Sequence, residues 1–485
     1  MLSFIILLPL IAALMVLVVP QGYCRRVSWV SAWMALALVV AGAPGLAEVL
    51  GLTWRAELAW MDALGVRIRL DNDGLSYLLV LLTALLYPLS LWAVPASSVR
   101  KPRLYDALLL FTQAPLFGVF LARDALIFYI FYELALIPIF FLVAFWGTDP
   151  SRRITMKFFI YTLAGSLFLF VAILYLYLQT PQPHSFAFDT LYALPLTAEQ
   201  QALLFAALFF AFAVKIPIFP FHTWQPDTYT AAPLGGSILL AGIMLKMGIY
   251  GLMRLAVPVI PSALEHWGWL AMVLCIAGTL YGSLVALRQT DLKRLVAYSS
   301  LAHVGLIAAG VLTANSSGWQ GAALQMFNHG IIVFALFFSV DLLERRYGTR
   351  QLNQLGGVAA HMRHFSWMFA LVLLASVGLP LTNGFVGEVL LLNGLFQYHT
   401  TAAVFAGLAV VLSVAYMLRW YRLVFFGAAH QEPKTDVRPA EAVALSVCLV
   451  LILVIGIYPL PWLQMTEQVT SQLLSIMHHP TAVKP

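Results

Sequence analysis

The feature of this sequence that most constrains its fold is a series of long apolar runs. About twenty apolar residues are needed to cross a bilayer as a helix. Fourteen runs are of that kind and lie near residues 2–20, 27–46, 74–96, 105–122, 124–147, 154–178, 199–219, 233–255, 267–287, 295–313, 319–343, 366–395, 401–426 and 441–463. Because 62% of all residues are hydrophobic and only 10% are charged, no soluble core could bury them. The sequence predicts an all-α integral membrane protein with about fourteen spans.

Short connections join these runs, so we expect one polytopic membrane domain over 1–485 and no soluble module. The longest polar insertion, 53–73, alternates apolar and polar residues, which predicts a small hairpin on the membrane surface. The first run lacks the early positive charge of a cleaved signal peptide and is predicted to remain as a span. The three cysteines are scattered and predict neither a disulfide framework nor a metal site: Cys24, Cys275 and Cys448.

The distribution of Lys and Arg predicts how the chain threads the membrane, because short cytoplasmic loops carry an excess of both. Nineteen lie in loops that follow odd-numbered runs. Six lie on the other side, namely Arg55, Arg67, Arg69, Arg123, Arg254 and Lys484. We therefore expect both termini to face away from the cytoplasm. Lys215 and Lys246 belong to no loop.

Four charged residues lie inside the predicted spans, where each costs about 2.5–3.5 kcal/mol on insertion scales. They are Glu133, Lys215, Lys246 and Glu388. Buried acids and bases on separate spans can hold, pass and repel protons, because burial favours the neutral form unless an opposite charge lies close by. The alternatives are an ion pair that fixes helix register and, for Lys215 near a span end, a side chain that reaches the interface.

Prolines accompany two of these charges. Pro217 and Pro220 follow Lys215, and Pro380 precedes Glu388. Proline breaks or kinks a helix, and broken spans that carry charge mark ion sites in transporters built from inverted repeats. We therefore predict two inverted five-helix repeats, spans 4–8 and 9–13, with breaks in spans 7 and 12. The chain would then divide into four parts: 1–104, 105–255, 265–430 and 441–485.

Two histidines extend this series of titratable groups. His303 and His329 stand between Lys246 and Glu388 in span order. Imidazole titrates near neutral pH, so these rings could join the two repeats as a proton relay. A lone histidine in a membrane is as often a hydrogen-bonded packing group, and that alternative stays open for each ring.

Polar residues at the cytoplasmic ends of the spans have two interpretations. His222 and Asp227 follow span 7 and are candidates for proton uptake. Lys293 and Arg294 lie at the edge of span 10 beside Asp291. For these two cations, anchoring by the positive-inside rule is favoured over a role in proton transfer.

Several motifs are absent from the sequence. There is no GxxxxGK[ST] phosphate loop, no GxGxxG after a strand and no cysteine cluster for an iron–sulfur site. No histidine pair has an obvious spacing for haem. We therefore expect no cofactor and no metal on this chain, so that whatever drives proton movement is bound elsewhere. The net charge of +6 is explained by the Lys and Arg residues of the cytoplasmic loops and does not indicate a nucleic-acid partner.

Five segments between about residues 74 and 430 resemble a known family. In order they read FYELALIPIFFLVAFWG, KIPIFPFHTWQPDTYTAAP, LKMGIYGLMR, DLKRLVAYSSLAHVG and LPLTNGFVGE. These segments are similar to the antiporter-like subunits of respiratory complex I, and most of all to the branch called subunit M, the bacterial counterpart of mitochondrial subunit 4. The resemblance implies fourteen helices, two inverted five-helix repeats and discontinuous helices seven and twelve.

The resemblance also implies roles for individual residues. Glu133 matches the family's fifth-helix glutamate, and Lys215 matches the seventh-helix lysine that pairs with it. Lys246 matches the central lysine of helix eight. Glu388 matches the ion carrier of helix twelve, which is typically lysine in subunits L and N and glutamate in subunit M. We also expect no long lateral helix of the kind that marks subunit L.

One segment departs from the family pattern. After helix seven the family reads like HTWLPDAHTEAP, whereas this chain reads HTWQPDTYTAAP. Tyr229 and Ala231 replace a histidine and a glutamate. Asp227 is therefore the remaining carboxylate in this loop that could take up protons.

We therefore expect a proton-translocating subunit of an NADH:quinone oxidoreductase, a translocase of the bacterial cytoplasmic (inner) membrane. NADH, FMN, iron–sulfur clusters and quinone would be bound by partner subunits, and redox chemistry there would shift the Glu133–Lys215 pair. The expected partners are subunits L and N, small membrane subunits and the lipid bilayer. Alternatives are a subunit of a multi-subunit cation/proton antiporter or membrane-bound hydrogenase, or a stand-alone solute transporter, for which no solute-binding polar cluster is evident.

Overall fold

The chain folds into a helical bundle, as its apolar runs predict. The computed structural model describes residues 2–43, 46–49, 54–148, 151–428 and 435–478. The helices in these ranges are α1 Leu2–Val18, α2 Gln21–Ala41, α3 Leu46–Val49, α4 Gly74–Ala93, α5 Pro102–Leu121, α6 Ala125–Leu134, α7 Leu136–Trp146, α8 Ser151–Gln179, α9 Phe188–Tyr192, α10 Ala198–Lys215, α11 Gln225–Ala231, α12 Leu234–Leu239, α13 Leu245–Gly251, α14 Pro261–Arg288, α15 Leu292–Leu312, α16 Ser316–Tyr347, α17 Val358–His361, α18 Arg363–Ser376, α19 Asn383–Tyr398, α20 Thr400–Phe425, α21 Pro439–Ile457 and α22 Leu460–His478.

Most of these helices match the predicted membrane spans. In the described ranges, twelve helices are long and apolar enough to cross a membrane, judged by length and composition. Two predicted runs fall outside that group. The first run corresponds to α1, which has 17 residues. The run near 366–395 is divided between α18 and α19, of 14 and 16 residues.

Two spans are interrupted at prolines, as the sequence predicts. α10 ends at Lys215, and Pro217 and Pro220 lie in the turns that separate it from α11. Pro380 lies between α18 and α19. Proline has no backbone N–H and its ring clashes with the preceding turn. The interruptions therefore follow from local sequence.

The span that carries Lys246 has an irregularity of another kind. α12 leads into a π-helical turn, Leu240–Met244, which is followed by α13 and a second π-helical turn, Leu252–Ala256. A π turn inserts one extra residue into the helical register and is frequent at functional sites. Residues 235–256 are all buried, as are nearly all of α15 and α16. The centre of the bundle is therefore built from the helices of Lys246, His303 and His329.

A β-hairpin and a helix cover one end of the bundle, which we call the far side. β1 Arg55–Met61 and β2 Val66–Asp71 pair antiparallel around the turn Asp62–Leu64. The hairpin predicted within 53–73 is thereby confirmed, although Thr53 lies outside the described residues. α22 packs against α4 and α16.

The end of the chain differs from the prediction. The last run was expected to span 441–463 and to be followed by a tail, but α21 ends at Ile457 and residues 460–478 form α22. Pro459 and Pro461 end the span, since proline disfavours helix in the residue before it. α22 escaped prediction because its apolar residues form only one face, with Val469 and Leu473 buried.

Candidate functional site

Lys246 lies fully buried at the centre of the bundle and bonds a histidine. Its Nζ lies 2.8 Å from His329 Nδ1 and donates to the carbonyl oxygen of Ala241 at 2.6 Å. An ammonium group has only donors. When Lys246 is charged, Nδ1 of His329 therefore accepts, and the imidazole proton resides on Nε2. No ion pair within the described residues includes Lys246.

A second pair of titratable groups lies beside the first. His303 Nδ1 is 3.4 Å from Glu388 Oε1, and the ring centroids of His303 and His329 are 6.2 Å apart. Both rings and Glu388 line a cavity of about 20 Å³. A cavity needs roughly 10–15 Å³ to hold a water molecule, so one water fits. The structure thus brings four predicted site residues into one row, which we call the central row: Lys246, His329, His303 and Glu388.

Glu388 owes its position to the break before α19. Asn328 Nδ2 donates to the carbonyl oxygen of Asn383 at 2.7 Å, and Asn383 Nδ2 donates to Asn328 Oδ1 at 3.2 Å. This amide pair ties the first residue of α19 to α16. Gly378, in the break, has a φ of 67°, and a Cβ there would lie 2.4 Å from Glu388 Oε2. Only glycine leaves room for the carboxyl group.

Lys215 and Glu133 do not form the ion pair that the resemblance implies. Lys215 Nζ is buried, has no hydrogen-bond partner and lies 4.5 Å from the ring centroid of Tyr132. Glu133 follows Tyr132 in the last turn of α6, and its Oε1 is likewise buried without a partner. Both side chains are among the described residues, and no contact within 4 Å joins their charged atoms. The pair is open in this conformation, with the ammonium group over an aromatic face.

The helix of Lys246 packs against the end of α10. A Cβ at Gly248 would lie 2.7 Å from Ile216 Cγ1 and 3.3 Å from Lys215 Cβ. Glycine is therefore required for this close approach. It places the two lysines on contacting helices.

The residues predicted for proton uptake lie in different environments. His222 is buried against Phe219 and Tyr281, with ring centroids 5.5 and 5.0 Å away, and its Nδ1 has no partner. Asp227 accepts from Lys157 Nζ and Arg294 Nη2, both at 3.1 Å. Both carboxylate oxygens of Asp227 thus form ion pairs that connect α11 to α8 and α15.

Two further residues of this region are buried. Tyr229 is completely buried, packs near Trp224 and Phe337, and has an unpartnered hydroxyl. Lys293 donates to the carbonyl oxygen of Ala232 and is also buried. Positive-inside anchoring was favoured for Lys293; its side chain is nevertheless covered by the tertiary fold at the start of α15. Arg294 remains partly exposed, as an anchoring residue should.

Some residues of the site were not singled out from the sequence. Gln325 lines the small cavity, Asn328 holds α19, and Tyr132 lies under Lys215. A usable signal exists for two of them, since Gln325, Asn328 and His329 recur at helical spacing on an otherwise apolar helix. For Tyr132 the only signal is its place beside Glu133. In the described part of the chain, no group of three or more His, Cys, Asp or Glu side chains is arranged to hold a metal ion.

A membrane-spanning helical bundle with broken helices and a buried row of titratable groups defines an ion-translocating membrane protein. Residues 122–413 match the family described as NADH:quinone oxidoreductase/Mrp antiporter, TM. The chain is also 38% identical over 480 residues to NADH-quinone oxidoreductase subunit M of Rhodobacter capsulatus, which covers 95% of this chain and 93% of that protein. The chain belongs to this family.

Solved structures agree with this assignment. A chain of respiratory complex I from Thermus thermophilus with bound NADH is 28% identical, with a TM-score of 0.90 over 98% of this chain and 100% of that chain. A chain of the Mrp complex from Dietzia sp. DQ12-45-1b has a TM-score of 0.87 at 21% identity and covers 99% of this chain and 98% of that chain. The second likeness is one of fold. The fold is thus shared by chains of a respiratory complex and of an Mrp complex.

Proposed function

We propose that this chain is a proton-translocating, antiporter-like subunit of a proton-pumping NADH:quinone oxidoreductase, in the position that subunit M has in its relatives. The observation that carries the proposal is the central row. It begins at a buried lysine that has no ion pair and bonds a histidine, and it ends at a second histidine beside a buried carboxyl group. A packing role would be served as well by apolar side chains. Proton transfer requires titratable groups.

The geometry supports a defined transfer from Lys246 to the second repeat. Lys246 gives a proton to Nδ1 of His329 while Nε2 of the same ring releases its proton towards the cavity. A water molecule in that cavity would pass the proton to Nε2 of His303, while Nδ1 of His303, 3.4 Å from Glu388 Oε1, releases its proton to the carboxylate of Glu388. Each ring ends neutral, one proton has moved, and Lys246 is left as a neutral amine.

Lys215 is the residue that would supply the central row with a proton. Its ammonium group faces Tyr132, and no carboxylate of the described residues lies within 4 Å, so the open pair leaves a buried cation with only the more distant charge of Glu133. Such a state is costly, and passing the proton to Lys246 on the contacting helix relieves it. Closing of Glu133 onto Lys215, driven by redox chemistry in partner subunits, would reverse this effect.

For proton uptake, the contacts favour His222 over Asp227. The carboxylate of Asp227 is held by two cations, whereas His222 keeps an unpartnered nitrogen close to the break after Lys215. Tyr229, which replaces a histidine of the family pattern, is too enclosed to exchange protons with solvent.

The assembly follows from the same proposal. The chain would lie in a bacterial inner membrane with both termini on the far side, and 105–255 and 265–430 would be its two inverted repeats. Subunits L and N and small membrane subunits would be its neighbours, with NADH, FMN, iron–sulfur clusters and quinone on other subunits. Co-purification of quinone-site and iron–sulfur subunits would support this assembly, and a nickel hydrogenase or small antiporter partners would contradict it.

Single substitutions in the assembled complex test the row. Lys246→Ala, His329→Leu and Glu388→Ala should each sharply lower the number of protons pumped per NADH oxidised in sealed membrane vesicles. Glu265→Ala is the matched control, because Glu265 is exposed on α14. If all three variants pumped at the normal ratio, the relay would be refuted.

A further inference from the structure

A second row of polar residues leaves Lys246 in another direction. Tyr250 and Arg254 follow Lys246 at intervals of four residues, so they lie near one face of the same helix. Arg254 reaches a far-side cavity of about 810 Å³. The wall that α22 contributes to this cavity includes three glutamines one turn apart, Gln464, Gln468 and Gln472. Lys246, Tyr250 and Arg254 thus mark one face of this helix that leads from the centre of the bundle to a large polar cavity and bypasses the central row.

The hydroxyl group of Tyr250 is fully engaged where this path begins. It donates to the carbonyl oxygen of Phe120 at 2.9 Å, lies 3.0 Å from Ser76 Oγ and accepts from Arg123 Nη1 at 3.1 Å. Tyr250 is completely buried. A phenol has one proton and two lone pairs, so no free position remains for a proton to pass through it.

Two guanidinium groups and one carboxylate follow. Asp73 Oδ2 accepts a hydrogen bond from Arg254 Nη2 and forms an ion pair with Arg123 Nη2 at 2.6 Å. Arg254 Nε is buried without a partner. Two arginines on one carboxylate leave an excess positive charge, and arginine does not release its proton in proteins.

Two further carboxylates line the cavity, Asp71 and Asp189. Asp71 lies 3.8 Å from Arg123 Nε and is also paired with Arg55. Asp73 precedes α4 and lies outside the spans. Its burial acts to raise its pKa, but Arg123 and Arg254 outweigh this and lower the pKa to about 2. Asp73 is therefore ionised at neutral pH and remains so.

We propose that Asp73, Arg123, Arg254 and Tyr250 form an arginine plug, which blocks proton passage between Lys246 and the far-side cavity. Protons on Lys246 then leave only through His329 towards Glu388. The inference rests on the proposed relay role of Lys246, and it adds a barrier function for residues outside that relay. Without the plug, protons could leak along the polar face of this helix between Lys246 and the far-side cavity, and pumping would be uncoupled from NADH oxidation.

The plug is tested by passive proton leak rather than by pumping. The variant Arg254→Gln removes the deeper guanidinium and leaves Asp73 paired with Arg123. In vesicles that contain the whole complex, an imposed pH gradient should decay about tenfold faster without NADH, since loss of a close fixed charge changes barriers by at least that factor. Arg67→Gln is the matched control, because Arg67 lies on the same side in an exposed ion pair with Glu57. Unchanged decay in Arg254→Gln would overturn the proposal.

Two further variants separate a barrier from a scaffold. Arg254→Lys keeps a positive charge and should keep the leak low, whereas a leak as fast as that of Arg254→Gln would argue against a charge barrier. The double variant Arg254→Gln/Lys246→Ala should lose the leak. A leak that persists in the double variant would overturn the claim that the plug seals the Lys246 path. Normal pumping by Lys246→Ala alone would instead refute the relay, so the two failures are distinguishable.

Discussion

The central row and the arginine plug handle buried charge in opposite ways. In the central row, Lys246 contacts a histidine and a carbonyl oxygen, and Glu388 contacts another histidine. In the plug, Asp73 is held by two arginines. Groups that exchange protons must have two protonation states of similar free energy, whereas a carboxylate between two cations is held in one state. The groups proposed to carry protons are thus free of ion pairs with a fixed charge, whereas the carboxylate proposed to form the barrier is paired.

The same division is found elsewhere in the molecule. Glu441 at the start of α21 accepts from Arg346 at 2.5 Å and lies 3.8 Å from Arg345. Lys215, by contrast, lies against the aromatic face of Tyr132 and has no ion pair within 4 Å among the described residues. Glu441 thus anchors the start of α21, whereas Lys215 and Lys246 lie beside a broken and a π-helical segment. The following substitutions test this division, beginning with the largest expected effect.

Glu388→Gln should abolish pumping through this chain with little loss of stability. Glutamine keeps the shape and can still bond His303, but it cannot carry a proton. A positioned acid or base contributes about 10²–10⁴-fold to a transfer rate, so coupled turnover should fall by at least about tenfold. Proton-to-NADH ratios in sealed vesicles measure the loss. Near-normal ratios would show that Glu388 is a packing residue.

Lys246→Met should lower pumping and raise stability at the same time. Methionine fills a similar volume without the cost of burying an unpaired cation, and replacing buried charge by well-packed apolar side chains often stabilises by about 1–4 kcal/mol. Thermal unfolding of the purified complex, followed for this chain, measures the gain. Lower stability of the variant would indicate that the bond to His329 is a structural tie.

Gly378→Ala should impair pumping less than Glu388→Gln. The new Cβ would meet Glu388 Oε2 at 2.4 Å, at a positive φ that alanine rarely adopts. The carboxyl group must shift from its present position beside His303, but it can still titrate. Gly407→Ala is the control, since a Cβ there meets nothing within 4 Å. Equal pumping in both variants would mean that the position of Glu388 is not critical.

Glu441→Gln should affect stability and leave the pumping ratio of assembled complexes unchanged. It leaves Arg346 buried without its charged partner, and breaking a buried pair costs about 3–5 kcal/mol. A lower unfolding temperature with a normal proton-to-NADH ratio is expected. A changed ratio would contradict the separation of structural from proton-carrying charges.

The smallest effect concerns the acid stability of the far side. The pKa of Asp73 is lowered from its ordinary value of 3.8 to about 2, so the carboxylate contributes roughly 2 kcal/mol above pH 4. This contribution is fully present above the unfolded-state pKa and is lost as the pH falls from about 4 towards 2. Hydrogen exchange at the start of α4 should report this loss. Asp73→Asn retains an N-cap residue and should remove the pH dependence, whereas Arg67→Gln should leave it intact.

Much of the architecture could be predicted from local sequence. Run lengths indicate spans, and Pro217 and Pro380 mark interruptions, because a missing N–H acts on its own helix whatever surrounds it. The alternation within 53–73 likewise predicts a hairpin. α22 was missed because an amphipathic helix that lies on the bundle lacks the long apolar run by which spans are found.

The candidate site was only partly predictable. The sequence by itself determined that Lys246, His303, His329 and Glu388 are buried in a membrane, since their flanking residues are apolar over whole spans. The order of these groups in space depends on how each helix is rotated about its axis. Only the tertiary structure decided that Lys246 bonds His329, with a π-helical turn just before it.

Helix rotation and packing also decide the other contacts of the site. Sequence determined that Lys215 lies at a helix break, but the fold decided that its ammonium group faces Tyr132 and not Glu133. Asp73, Arg123 and Arg254 are far apart in the chain and are joined only by the packing of distant segments. Local chemistry decides which segments enter the membrane. The rotation and packing of those segments decide which charges meet, and hence which of them can exchange a proton.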